Sequence, residues 1–359
     1  GEPTGSVVGR TDDGGKDGPM RKITAGVVGA GRIGTIHANN LMGMPGVRVK
    51  TVADPYVVPE EWSSRGIVPT LDPADVMEDP DIEVVLICSP TPTHAEFTER
   101  VARAGKHVFC EKPIALDPER VRATLEVVER AGVKLQVGFN RRFDPTFSRV
   151  RQSVVDGEIG DVHLIKIVAR DPAPPPPEYV RDSGGMFLDM TIHDFDMVRF
   201  LSGSEVEEVQ AFGAVLVDPA IGDAGDVDTA VVTLKLANGA LAVIENSRRA
   251  VFGYDQRIEV FGSKGGIEAL NESPCQVRLR TGAGIRAENP LYFFLERYQR
   301  SFVAELEAFI NIIREDAQPP VTGQDGLIPL LIGVAATRSM QENRPVRVDP
   351  PPPPSTEAP

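Results

Sequence analysis

The chain has 359 residues, 41% of them hydrophobic, enough for two domains with substantial cores. Against 38 basic side chains stand 52 acidic ones, a net charge of −14 with a pI of about 4.9, which argues against nucleic acid or an anionic membrane as a partner. Cys88, Cys110 and Cys275 form neither a paired framework nor a metal-ligand cluster, no apolar run is long enough for a membrane span, and the N-terminus lacks an apolar signal core; a cytoplasmic setting is expected.

Residues 1–20 are rich in Gly, Asp and Thr and read as a disordered leader. From there strand and helix alternate, with strands expected at 22–28, 47–53, 83–88, 107–110 and 134–138. Helices are expected at 32–43, 93–104 and 117–131, with a short one near 73–78, and Gly105 and Gly132 stand where left-handed caps belong. Strands separated by helices predict a doubly wound parallel sheet of the Rossmann type with right-handed crossovers, over residues 21–139. The pattern changes near residue 140. After a helix at 145–156, β-prone segments follow at 161–169, 206–217, 227–236, 240–248, 256–261 and 266–270, several joined by turn signals. They predict an α/β second domain over 140–323 with a large, mostly antiparallel open sheet. Helices near 293–315 and 324–341 follow, the second with a closing strand in a segment at 324–348, and 349–359 reads as a proline-rich tail.

The first strand runs into Gly29-x-Gly31-x-x-Gly34, and Asp54 ends the next apolar run 20 residues beyond Gly34. Gly29 suits the tight turn, Gly31 a close approach of backbone to pyrophosphate, and Gly34 the packing of helix on strand. A helix opening at Arg32 and Ile33 turns its free N–H groups toward phosphates, and Asp54 suits the adenosine ribose hydroxyls. After Asp54 come Pro55 and Tyr56, with no adjacent arginine or serine for a 2′-phosphate, so NAD is favoured over NADP.

Three further segments carry chemistry. Ser89, Thr91 and His94 follow a strand end and suit the ribose and nicotinamide side of a cofactor; Thr93 equally suits a helix cap with His94 at the surface. Glu111-Lys112-Pro113 follows another strand end, where Lys112 can polarise a substrate hydroxyl, unless it and Glu111 are an ordinary solvated pair; the proline can fix the loop through a cis bond. Asp189 and His193, four apart, share a face if helical, and a carboxylate beside an imidazole favours the charged ring and holds it in place. No third and fourth ligand of suitable spacing accompanies them, so no metal is expected.

These motifs resemble the Gfo/Idh/MocA oxidoreductase family over about residues 22–348, and within it most of all the inositol 2-dehydrogenases. The shared features also include Gly138-Phe139-Asn140-Arg141-Arg142-Phe143-Asp144, the Gly-Gly-x-x-x-Asp-x-x-x-His-Asp run ending at Asp194, and Gly323-Gln324-Asp325-Gly326. The resemblance implies an NAD-dependent enzyme that oxidises a secondary hydroxyl of a cyclitol or sugar, myo-inositol first. It implies His193 as base, Lys112 as polarising cation, and Asp189 as substrate anchor and support of the histidine. Glu111 joins the cofactor set, while Asn140, Arg141, Asp171 and Tyr254 are the implied polyol contacts. Asn140 stands where inositol dehydrogenases commonly have methionine. A homo-oligomer, dimer or tetramer, is implied through the open sheet. The alternatives are another sugar, a sugar acid, a keto- or amino-inositol in either direction, or a non-catalytic NAD-binding regulator.

Overall fold

The computed structural model describes residues 21–349, so the leader at 1–20 and the tail residues 350–359 lie outside the described residues. Six parallel strands form the first sheet: β1 Ile23–Val28, β2 Val47–Ala53, β3 Val68–Thr70, β4 Val84–Ile87, β5 His107–Glu111 and β6 Leu135–Gly138, in the order β3-β2-β1-β4-β5-β6. Runs such as Val84-Val85-Leu86-Ile87 are buried on both faces, as a helix-covered parallel sheet requires. The order reverses between β1 and β4, and that crevice is where ligands of such sheets bind. The helices Arg32–Met42, Thr91–Arg103 and Pro118–Ala131 make the crossovers. Asp117 caps the last of these and Gly132 ends it at φ 65°; Gly105 is likewise left-handed at φ 74°. The three-residue edge strand β3 and the helix Pro59–Ser63 carry too little apolar pattern for the sequence to announce them.

The second sheet contains β7 Val162–Arg170, β8 Val206–Ala214, β9 Thr229–Leu236, β10 Leu241–Ser247, β11 Asp255–Gly262 and β12 Gly265–Ala269. The strands β13 Arg278–Thr281 and β14 Gly284–Ala287 pair only with each other, and β15 Val346–Arg347 closes the large sheet. Its order is β12-β11-β7-β10-β9-β8-β15, antiparallel except for the β7–β10 pair. In β9, Ala230, Val232, Leu234 and Leu236 face inward, while Val231, Thr233 and Lys235 face out. The β13–β14 hairpin is exposed throughout and lacks such alternation, which is why its pattern is silent in the sequence.

Two helices join the domains. Gln299–Glu315, expected with the second domain, packs Leu306, Phe309, Ile310 and Ile313 into the core around β1 and β2. Gly323–Glu342 belongs to both cores: Leu327, Leu330 and Leu331 pack in the first, Ile328, Ile332 and Ala336 in the second. A capping box of Thr322 and Asp325 starts it. At Gly333 a Cβ would lie 2.5 Å from Leu188 Cδ2 and 3.1 Å from the Phe187 carbonyl oxygen, so glycine lets this helix press against the turn that carries Asp189 without displacing either.

Candidate active site

At the β1–β4 crevice, Gly29 has φ 96°, and a Cβ there would lie 2.5 Å from the backbone carbon of Cys88. A Cβ on Gly34 would come within 1.8 Å of the Gly29 carbonyl oxygen, so both positions require glycine. At Gly31 nothing lies within 4 Å of the Cβ position, leaving open space at the opening of the helix Arg32–Met42. Asp54 is fixed on both oxygens, accepting from Ala30 N (2.7 Å) and Tyr56 N (2.7 Å). Glycines that bring chain to chain, an open approach at Gly31 and an oriented acid at the end of β2 fit a dinucleotide. Arg32 lies over the Phe293 ring at 5.6 Å, and Ile33 packs beneath the turn.

Ser89 Oγ shares a hydrogen bond with Thr93 (2.6 Å), and Thr91 begins the helix Thr91–Arg103. His94 is buried, so neither the cofactor-lining nor the surface reading describes it. Its ring bonds the carbonyl oxygens of Pro113 (2.8 Å) and Ser89 (2.6 Å), tying the loop after β4 to the loop after β5. The Lys112–Pro113 bond is cis.

Lys112 Nζ donates to the Asp189 carbonyl oxygen (2.9 Å) and lies 3.3 Å from Asp189 Oδ1, so Glu111 and Lys112 are not a solvated pair. Asp189 sits in a single π-type turn, Met186–Met190, whereas His193 opens the first turn of the helix Ile192–Ser202. No Asp189–His193 hydrogen bond forms among the described residues, so the carboxylate does not hold the ring directly. The carboxylate instead accepts from Tyr179 Oη (3.0 Å) and from Arg248, whose guanidinium nitrogens lie 3.3 and 3.4 Å away. Burial opposes ionisation of Asp189, but Lys112, Arg248 and the Tyr179 hydroxyl outweigh it and hold its carboxyl below the usual range.

His193 also departs from the expectation of a charged ring. Burial, with the charges of Lys112 and Arg141, pushes it well below the ordinary histidine value. Its ring meets Phe139 edge-on at 5.8 Å, and Nδ1 is buried without a partner. At neutral pH it is therefore a neutral imidazole, able to accept a proton.

Arg141 donates to Asp194 (2.7 Å), whose other oxygen accepts from Asn246 (2.8 Å). Asp171 follows β7 and accepts from Arg248 at 3.5 Å; burial, partly offset by Arg248, pushes its carboxyl up to about 6. Tyr254 stacks edge-on against Tyr298 and Phe293, with burial raising its hydroxyl above the ordinary range. Asn140, expected as a polyol contact, is buried and donates to Ser301 Oγ (3.1 Å), which assigns its amide nitrogen to the scaffold. Arg248 and Tyr179 escaped the sequence reading. Arg248 sits in an unmarked Ser-Arg-Arg run after β10, and Tyr179 sits in the short helix Pro177–Ser183 within a proline-rich loop.

Residues 23–139 match the oxidoreductase family with an NAD-binding Rossmann fold, and residues 147–268 match the GFO/IDH/MocA C-terminal domain. The chain is similar to a myo-inositol 2-dehydrogenase of Thermotoga maritima, 50% identical over 327 residues, covering 90% of this chain and 98% of that one. An inositol 2-dehydrogenase of Rhizobium meliloti is 49% identical over 330 residues, 91% of this chain and 99% of that one. The crystal structure of scyllo-inositol dehydrogenase from Lactobacillus casei with bound NAD(H) and scyllo-inositol has a TM-score of 0.84 at 33% identity, covering 91% of this chain and 99% of that one. With both domains matched in order and the lysine, aspartate and histidine gathered at their seam, this chain belongs to the Gfo/Idh/MocA oxidoreductase family.

Proposed function

We propose that the protein is an NAD-dependent cyclitol dehydrogenase that oxidises a secondary hydroxyl to a ketone, with myo-inositol as the leading substrate. The carrying observation is the meeting of the Lys112 ammonium, the charged Asp189 and the neutral His193 beyond the end of β5. Bound NAD supplies the hydride acceptor. Gly29, Gly31, Gly34, Asp54 and the Ser89 loop would hold it.

His193 takes the hydroxyl proton, because its unpartnered, neutral ring has a free lone pair at neutral pH. Lys112 places positive charge where the substrate oxygen becomes anionic, a contribution of typically about 2.7–4 kcal/mol for one oriented donor. Asp189 fixes Lys112 through two oxygens and presents its carboxylate to the ring hydroxyls. Arg141, Asp171 and Tyr254 surround the same space.

Charge pairing favours a neutral polyol over a sugar acid. Lys112 is paired with Asp189, Arg141 with Asp194, and Arg248 with Asp171 and Asp189, so each cation around Asp189 already has a carboxylate. A substrate carboxylate would have to break one of these pairs. The intact Lys112, Asp189 and His193 set supports an enzyme over a regulator.

The outer face of the large sheet suits self-association. Cross-strand register sets Phe261, Leu164 and Leu241 side by side in one row and Phe212 beside Val231 in another on the same face, exposed apolar groups of the kind that partners cover. Among the described residues no helix is long and apolar enough to cross a membrane. The free thiols of Cys88, Cys110 and Cys275 suit a reducing cytoplasm.

Initial rates of NADH formation with NAD and myo-inositol, scyllo-inositol, glucose or galacturonate test the reading. A saturable rate with a cyclitol, abolished in Lys112→Ala, supports it; preference for galacturonate overturns the neutral-substrate argument. No rate with any polyol despite tight NADH binding favours the regulator.

A further inference from the structure

Between the cofactor helix Arg32–Met42, the end of β5 and the helix Gln299–Glu315 lies a group of side chains to which the proposed reaction gives no step. His37 comes from the cofactor helix Arg32–Met42, Glu305 from the helix Gln299–Glu315, and Glu111 from the end of β5. Their ligand atoms all lie within 4.8 Å of one another. His37 and Glu305 are fully buried, while the Glu111 side chain is 15% exposed. His37 Nε2 is 2.7 Å from Glu111 Oε1 and 3.9 Å from Glu305 Oε1. Both Glu305 oxygens and His37 Nδ1 are buried without a hydrogen-bond partner among the described residues.

Two carboxylates this close in a dry site disfavour each other's ionisation, and the His37 ring beside them is at hydrogen-bond distance from Glu111 (2.7 Å) but 3.9 Å from Glu305. Among the described residues no Lys or Arg pairs with Glu111 or Glu305. Phe109 and Phe302 meet the His37 ring edge-on, and Gln136 donates only to the Glu305 backbone carbonyl (2.8 Å). The remaining titratable neighbour is the Cys88 thiol on the β4 side, itself pushed up by burial and by Glu111 and Glu305. Burial and the Glu111 charge push the Glu305 carboxyl well above its ordinary range. The cluster has the composition of a cation site, but its spacing speaks against one. Tetrahedral bonds of about 2.0–2.1 Å set two ligands roughly 3.3 Å apart, whereas the His37–Glu111 separation of 2.7 Å is that of a hydrogen bond.

We infer that Glu305 is kept as a neutral carboxylic acid and that it and His37 are positioning residues, with His37 orienting Glu111 to accept from a hydroxyl of the nicotinamide ribose. Glu111 is also gripped from the other side: a Cβ on Gly138 would lie 2.9 Å from Glu111 Oε2. The role of Glu111 rests on the cofactor reading above, whereas the protonation of Glu305 does not.

Difference infrared spectroscopy of cofactor-free protein, wild type against Glu305→Gln, tests the proton directly. The wild type is expected to show a protonated-carboxyl C=O band at neutral and mildly alkaline pH, and Glu305→Gln to lose it. Absence of the band in the wild type, or its survival in the variant, overturns the inference. NADH titration tests the positioning: His37→Ala should weaken binding about 10- to 100-fold, the worth of a hydrogen bond to a charged group, with kcat at saturating NAD changed by no more than about threefold. His37→Gln, which can place an N–H where Nε2 lies, should restore most of the affinity. Unchanged affinity in His37→Ala overturns the positioning role, as does a stoichiometric divalent metal in the wild type that Glu305→Gln loses. Failure of wild-type protein to bind NADH at all would instead remove the cofactor reading.

Discussion

Arg248→Met removes the cation that bridges Asp171 and Asp189 while keeping much of the side chain's bulk. In the native site the guanidinium lies 3.3–3.5 Å from both carboxylates and is almost wholly buried. At an effective dielectric of about 20, each contact carries about 5 kcal/mol of gross attraction, most of it offset by desolvation. Truncating one member of a buried pair typically costs about 3–5 kcal/mol. Asp189 keeps Lys112 and Tyr179, so its share of the loss is limited. Asp171 keeps only the charge of Arg141, with no hydrogen bond to it, and its carboxyl, already up to about 6, should rise further and become protonated at neutral pH. A fall in kcat/KM for inositol of about 2–3 kcal/mol, roughly 30- to 150-fold, follows, along with a lowered melting temperature. Arg248→Lys, a point charge without the planar fork, should recover only part of it. The assay is the initial rate of NADH formation against inositol at saturating NAD, with NADH affinity measured in parallel. A kcat/KM within about threefold of wild type would refute the reasoning; so would a loss confined to NADH binding, since Arg248 lies on the substrate side.

His193→Ala should lower kcat by about 10²- to 10⁴-fold, the usual worth of a positioned base, with partial recovery as hydroxide rises; an unchanged pH–rate profile would count against the assignment. Because the folded His193 is depressed below its unfolded value of 6.5, the unfolded chain binds more protons below that value, and stability should fall as pH drops through it. Denaturant titrations should show His193→Ala losing that dependence. Asp171 has the opposite sign: raised from 3.8 to about 6, it contributes stability below its unfolded value that disappears as pH rises through 6, and Asp171→Asn should flatten stability between those limits. Asp54→Ser should weaken NAD and narrow the preference against NADP; an unmoved ratio of the two kcat/KM values would place selectivity elsewhere. Gly333→Val should force the helix Gly323–Glu342 off the Met186–Met190 turn, lowering both melting temperature and kcat. Retention of both would show that the close approach at Leu188 is dispensable.

The nucleotide half was legible because each requirement is local. An apolar strand, three glycines and an acid at a fixed distance are all read along the chain, and the φ of Gly29 and the closeness of Gly34 to Gly29 are what those glycines signal. The substrate half was legible only in its residue types. That Asp189 turns to Lys112, Tyr179 and Arg248 instead of His193 depends on a π-type turn, which breaks the four-residue spacing on which the helical expectation rested. Arg248 and Tyr179 reach the site from 59 and 10 residues away, by sheet register and a proline-led helix. Asn140 carried a chemical signal for substrate, yet the return of the helix Gln299–Glu315 places Ser301 against it. That return was invisible too, since an amphipathic helix does not announce which sheet it will cover.

The same return bears on how the chain is made. Leu306, Phe309, Ile310 and Ile313 complete the hydrophobic core around Ile23, Val27 and Val52, so the nucleotide-binding half leaves the ribosome with an apolar flank uncovered. It stays so until about 170 more residues have been added, a wait of roughly 10–35 s at ordinary rates of synthesis. Residues 21–139 expressed alone would keep that flank bare permanently. The nucleotide-binding half is therefore contiguous in sequence while its core is finished from outside that stretch, and the last two long helices are the step on which the completion of both cores waits.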